Sequence, residues 1–458
     1  MTLLAELSQT LPVRYYLGLD VGYREHVAVA ISLQTFVRGD DRWQRARCLH
    51  FASTRAGLRQ LQQYLDRFSL DPTAFLGLCE PTGGYYGATV GQYLLDAGYR
   101  LLLVDNGTTR HMREKIFGAL PKTDDVDARV MARMGYLHEV VGEEYSLRPL
   151  CLPAAEDAEL LALCRTSWKL NVMVCRLRNQ FGQLAAVIFP ELKEFFTSSV
   201  TTVVPVRLLA AYPCPAELAA AAAADVAAVL RRAGGYRHAG RVDELQALAA
   251  DSSGLLPDPG RAWRLEWLSG MLGHCFAAQA SLDTRLQDLV SRRDDYRLLA
   301  PIPYAGVATL GVIVAVTRDA DRFHNYRQYV AYTGYFAGLE KSQTIDRTRM
   351  SKRGNRDLKR ALFQIVAPLV WFDQGNNPYK ALYERKKAEG RPWYEAMPFA
   401  CAALARHIYH CLKFKEPYDV SKAFQGSAPR AASDEVLKDL QADLEARFEV
   451  MDAHLSSD

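Results

Sequence analysis

The nine cysteines of this 458-residue chain are scattered over positions 48, 79, 151, 164, 175, 214, 275, 401 and 411, and no two form a Cys-x-x-Cys pair. That absence argues against a zinc ribbon and a disulfide framework, and it fits a reducing cytoplasm. No apolar run approaches the roughly 18 residues of a membrane span, and the first residues lack the basic-then-apolar layout of a signal segment. A cytoplasmic protein is expected. Excess charge is lacking too: 56 Lys and Arg against 52 Asp and Glu leave only +4, so net charge does not announce a nucleic-acid partner. What is plentiful is apolar material, 49% hydrophobic with 10% aromatic, enough for sizeable cores. At roughly 150 residues per domain, the length suggests about three domains.

The charge is distributed in blocks. Residues 341–363 (KSQTIDRTRMSKRGNRDLKRALF) carry a local net charge of +6, and residues 431–458 carry −6. A basic block favours contact with a polyanion through phosphate neutralisation, although a charged run is also what a solvated helix face looks like. The acidic tail has apolar residues at helical spacing and reads as an amphipathic or self-docking helix.

Patterning changes along the chain. Residues 14–20 (RYYLGLD) and 26–32 (HVAVAIS) read as a strand hairpin, with a third strand within 45–53. Helical period over 54–68 and 86–97 alternates with apolar strands at 74–80 and 99–105, which predicts an α/β domain ending near residue 145. Beyond it, 154–196 and 261–299 read as long helices. An Ala-rich helical module lies between them, and a compact helical region follows from residue 301 to about 417.

Four carboxylates stand out. Asp20 ends the first strand in GLDVG, and Glu80 ends a later strand just before PTGGYY. Asp124 and Asp127 are three apart at the start of a helix, so both project from one face, whereas Asp125 points elsewhere. Singly, each has an ordinary structural explanation as a turn residue, cap or dipole partner. Together they make an all-oxygen set suited to Mg²⁺ or Mn²⁺, the ions that assist phosphodiester displacement.

In the C-terminal half, Ile302-Pro303-Tyr304-Ala305-Gly306 before an apolar helix resembles a helix-hairpin-helix turn, whose amides hold phosphate in DNA-binding proteins. A simple helix–helix turn fits it equally. Ser342 stands in a polar, basic segment between two expected helices, with no His or Asp at triad spacing to activate it.

At this point the sequence resembles the transposases of the insertion sequence 110 family, the DEDD serine recombinases guided by a bridge RNA. The N-terminal motifs are GLDVG, CEPTGGYYGATVGQYLLDAGY and VDNGTTRHMREKIFGALPKTDDVDARVMA. The C-terminal ones are LLAPIPYAGVATLGVIVAVTRDADRF, RQYVAYTGYFAGLEKS and RMSKRGNRDLKRALFQIV. They cover roughly residues 14–145 and 296–415.

The resemblance implies a RuvC-like (RNase H fold) DEDD domain over 1–148 and a coiled-coil helical arm with its inserted module over 149–299. A C-terminal transposase domain would occupy 300–420, with the acidic tail at 421–458. It implies Asp20, Glu80, Asp124 and Asp127 as holders of Mg²⁺ (or Mn²⁺) and Ser342 as a nucleophile forming a phosphoserine–DNA intermediate. Ser351 is the alternative serine, though it reads more like a helix cap. Donor and target DNA, a non-coding bridge RNA and a homodimer assembling to a tetramer are the implied partners, in a bacterial cytoplasm near the nucleoid. Arg347, Arg349, Lys352, Arg353, Arg356 and Lys359 are the candidate phosphate contacts, with a solvated helix face as the other reading. A junction resolvase would have no use for Ser342 and its domain, and an actin-like sugar kinase would need a second Gly-rich phosphate loop, which is absent. A site-specific invertase shares the motifs, and a nucleic-acid-binding protein without catalysis would not need all four acids.

Overall fold

The two N-terminal segments that alternate about Gly22 form an antiparallel hairpin, β1 (Tyr15–Val21) and β2 (Glu25–Ser32). In this computed structural model the described residues are 12–39, 41–81, 86–118, 122–197, 199–254, 259–342, 345–350, 354–373 and 377–422. The chain divides into two units, residues 1–153 and 154–458.

In the first unit, β3 (Leu49–Ala52) pairs antiparallel with β2, while β4 (Phe75–Cys79) and then β5 (Arg100–Leu103) add in parallel on the other side of β1. A short β6 (Arg148–Pro149) closes the edge, so the sheet order is β3-β2-β1-β4-β5-β6. Its longer helices are α1 (Arg55–Asp66), α2 (Tyr86–Asp96), α3 (Asn106–Phe117) and α4 (Asp124–Tyr136). Strand side chains alternate between the faces, and each face has its own core. Tyr16, Val29 and Leu78 pack with Met131 and Met134 of α4, whereas Leu17, Leu19 and Phe75 pack with Leu61 of α1 and Leu94 of α2. The central strands are apolar on both faces because both are covered. This mixed α/β domain, an antiparallel three-strand start followed by parallel crossovers, is consistent with the RuvC-like fold expected.

The second unit is built on two long helices, α5 (Ala155–Ile188) and α6 (Pro259–Ser291), which pack antiparallel. Cross-links at both levels set the direction: Arg285 donates to Glu159 and Gln279 to Asn171. Both helices stop about eight residues short of the expected ends. The first breaks at Phe189, which precedes Pro190 and is thereby pushed out of helical geometry. The far ends of the pair enclose a module of short helices, with Phe181, Leu209, Leu230 and Leu268 in its core. The near ends join a second core with α7 (Asp294–Leu299), α8 (Val307–Thr317), α9 (Tyr326–Thr333), α10 (Arg356–Trp371), α11 (Pro378–Ala388) and α12 (Trp393–Phe414). Apolar α8 is buried nearly all round, as its lack of a polar face requires.

One expectation is corrected. The C-terminal region is not all-helical: β7 (Ala337–Ser342) and β8 (Ile345–Met350) form an antiparallel hairpin between α9 and α10. Ile345 and Thr348 are β-branched and favour a strand, but four of the six residues of β8 are polar and no apolar alternation marks it. The acidic tail from residue 423 lies outside the described residues. Among the described residues no helix is long and apolar enough to cross a membrane.

Candidate active site

Asp20 and Glu80 become neighbours through strand register. Leu19 of β1 pairs with Cys79 of parallel β4, so the two acids lie one step further along, side by side at the C-terminal edge of the sheet. Helix α4 brings the other two. Thr123 caps it by accepting from the Val126 amide, which makes Asp124 its first residue rather than its cap and sets Asp127 one turn along. The helix can lie against β1 because position 18 is glycine: a Cβ there would fall 1.8 Å from the Ala128 carbonyl oxygen. Side chains at 20, 124 and 127 are thereby brought to one edge.

The electrostatics register this crowding. The Asp20 carboxyl is pushed up to about 6, first by burial and then by Asp124, Asp127 and Glu80, with only Lys122 opposing. Glu80 is also raised, chiefly by burial, against the Thr109 hydroxyl and with Asp127 adding to the rise; Lys122 and Arg113 oppose it. Asp127 is almost wholly buried and its Oδ1 accepts from the Arg113 guanidinium on α3, while Lys122 stands 3.9 Å from Oδ2. Asp125 faces away, as expected, and anchors the helix to the sheet edge: its carboxylate bonds His50 Nε2 at 2.7 Å and Arg129 at 3.1 Å.

Four hard carboxylates that act on one another through their charge, with two cations against them, are a donor set that fits a divalent metal by chemistry and by charge. Among the described residues no group of three or more His, Cys, Asp or Glu side chains is arranged to hold an ion as it stands. The Arg113–Asp127 pair occupies one of the four.

Ser342 ends β7, where its backbone pairs with Ile345 across the hairpin, and Arg347 and Arg349 lie on β8. The hairpin leaves and rejoins the domain at one point. Gly334 ends α9 with a left-handed φ of 81°, and Gly354 (φ 106°) abuts it so closely that a Cβ would meet the Gly334 Cα at 2.4 Å. The Asn355 amide then donates to the Tyr332 carbonyl at 2.7 Å, and the Asn355 side chain caps α10. The cap is therefore Asn355 rather than Ser351; Ser351, Lys352 and Arg353 lie outside the described residues. Arg356 is exposed in the first turn of α10. Lys359 is half-buried over the Tyr335 ring at 5.5 Å, and burial lowers its amine below the usual range. At the turn before α8, Tyr304 takes a left-handed φ of 60° and is exposed, with Gly306 at the N-cap.

Sequence reasoning passed over Arg113, Gly18, Gly334 and Gly354 as functional residues. Gly18 sits inside GLDVG and carried a signal; Arg113 did not, because its partner is set by how α3 packs on α4.

Two strand-end acids joined by two from helix α4 make a site with the chemistry of phosphodiester cleavage, in a chain that also carries a basic hairpin. Two family models agree: one described as a transposase matches residues 17–190, and one described as transposase of the IS116/IS110/IS902 family matches residues 296–383. The protein is a transposase, and it resembles those of the IS110 family in both of its parts. The first matching model is named for DEDD acids and spans all four carboxylates. Comparison with curated proteins gave no match.

Proposed function

We propose that the chain is an RNA-guided transposase that cuts and rejoins donor and target DNA through a phosphoserine on Ser342. The convergence of Asp20, Glu80, Asp124 and Asp127 supports this reading, because four crowded carboxylates are costly unless a cation is part of their function. Mg²⁺ (or Mn²⁺) held by these four would supply charge neutralisation at the scissile phosphate.

The chain's own residues then have distinct tasks. The Ser342 hydroxyl forms a bond to phosphorus as the bond to one deoxyribose oxygen breaks, and the serine proton ends on that released oxygen. The freed hydroxyl of a partner strand attacks the phosphoserine in turn and returns the serine, so strands are exchanged without net hydrolysis. Arg347, Arg349, Lys352, Arg353 and Arg356 hold phosphates, with Lys359 placed to support the hairpin. Base pairing by a bridge RNA, recognised by its shape and backbone, reads the DNA sequence. The α5–α6 pair acts as a coiled-coil arm that assembles a homodimer and then a tetramer.

The test is strand cleavage by the full chain with guide RNA, Mg²⁺ and labelled donor and target duplexes, resolved on a denaturing protein gel. A labelled protein–DNA band is expected in wild type and in Ser351→Ala, and absent in Ser342→Ala and Asp20→Ala. Cleavage that survives Ser342→Ala with no covalent band would make this a water-using, resolvase-like nuclease.

A further inference from the structure

Asp127 has a cation bonded to Oδ1 and another 3.9 Å from Oδ2, and the two are unlike. Lys122 is two-thirds exposed and only near Oδ2. The Arg113 side chain is 11% exposed, donates to Oδ1 of a carboxylate that is itself 3% exposed, and reaches it from a different helix. Arg113 also bears on Glu80, whereas the cation that bears on Asp20 is Lys122. A guanidinium presents its charge in a planar fork matched to a carboxylate, which Lys122, a point charge on a flexible stem, does not.

We propose that Arg113 is a resident counter-ion that holds Asp127 in the metal-free enzyme and competes with the divalent cation for that carboxylate. This rests on the reading of the four acids as metal holders. The logic is one of competition: a buried carboxylate needs a positive partner, and a metal ion drawn to Asp127 meets the guanidinium already bonded to Oδ1. Arg113 is then a positioning residue that sets how tightly metal loads and keeps α3 and α4 joined until it does.

The experiment is Mn²⁺ titration by calorimetry, with thermal melts in chelator and in saturating Mn²⁺, on full-length wild type, Arg113→Gln and Arg113→Lys. Arg113→Gln is expected to melt lower than wild type in chelator yet to bind Mn²⁺ on the order of tenfold tighter, with a larger metal-induced rise in Tm. Arg113→Lys, which keeps a charge but loses the planar fork, is expected between the two. Unchanged or weaker Mn²⁺ binding by folded Arg113→Gln overturns the proposal. Should that variant fail to fold, Arg113→Lys decides: tighter binding than wild type supports it, and equal or weaker binding overturns it. Asp20→Asn/Asp124→Asn separates the two readings, for if that variant binds Mn²⁺ as wild type does, the metal reading of the acids falls and this proposal with it.

Discussion

Gly18 of β1 lies directly beneath the Ala128 carbonyl of α4, with room for a hydrogen and none for a methyl group. Through this contact the helix carrying Asp124 and Asp127 reaches the strand carrying Asp20. Gly18→Ala is expected to cost about 3 kcal/mol or more, because the clash is with backbone that cannot rotate away. Denaturant unfolding checks the cost. A variant that still folds is expected to lose DNA cleavage, since α4 must shift.

Crowding at Asp20 gives a prediction with a definite sign. Its folded pKa, raised from 3.8 to about 6, means that the folded state takes up the proton first. In metal-free buffer this site therefore adds stability to the N-terminal unit as pH falls from 7 through 6, levelling off below 3.8. The shift at face value is about 3 kcal/mol, which solvent screening of this part-exposed group reduces to about 1 kcal/mol. Asp20→Asn is expected to raise Tm in chelator while abolishing cleavage. A lower Tm in Asp20→Asn would show that the carboxylate is stabilising instead.

The Gly334–Gly354 contact holds the base of the hairpin that ends at Ser342. Alanine at 354 would need a positive φ and would overlap Gly334, a local strain of about 1–3 kcal/mol. Gly354→Ala is expected to lose DNA affinity only a few-fold, through Arg347 and Arg349, but to form covalent adduct roughly 100-fold more slowly, the usual scale for an ångström of misplacement. Filter binding and adduct kinetics measured together test this. Equal losses in both would mean that the hairpin serves binding alone.

Two members of the basic block should behave differently. Arg356 is exposed, so Arg356→Ala is expected to lower DNA affinity and to reduce the salt slope by about one unit. Lys359 packs on Tyr335, whose hydroxyl donates to the Lys359 carbonyl at 2.8 Å. Lys359→Met is expected to leave the slope unchanged. Affinity measured over a salt series distinguishes them.

Acid should loosen the C-terminal unit. His407 of α12 is buried, its Nδ1 is 2.9 Å from the Tyr379 hydroxyl, and burial with His410 nearby lowers it to about 4 against the pull of Asp419. A depressed histidine pKa means stability that is full above the unfolded value of 6.5 and is lost as pH falls toward 4. The loss should be about 2 kcal/mol after screening, and His407→Gln should flatten the pH dependence of unfolding in that window.

The sequence by itself determined the central strands and the longer helices, because unbroken apolar runs and 3.6-residue periods are local properties. It also marked four acids, two at strand ends and two sharing a helix face, and set Asp125 apart from them. Local signals did not reach three other features. The β7–β8 hairpin looks locally like a polar stretch between helices, since its strands are short and charged. The stop of α5 at Phe189 is local, set by Pro190, whereas nothing so local marks the stop of α6. Most of all, the partnership of Arg113 with Asp127, the fit of Gly18 under Ala128 and the closure of Gly354 on Gly334 were decided by tertiary structure alone. Each joins residues from separate elements, and the distance between them is set by how those elements pack.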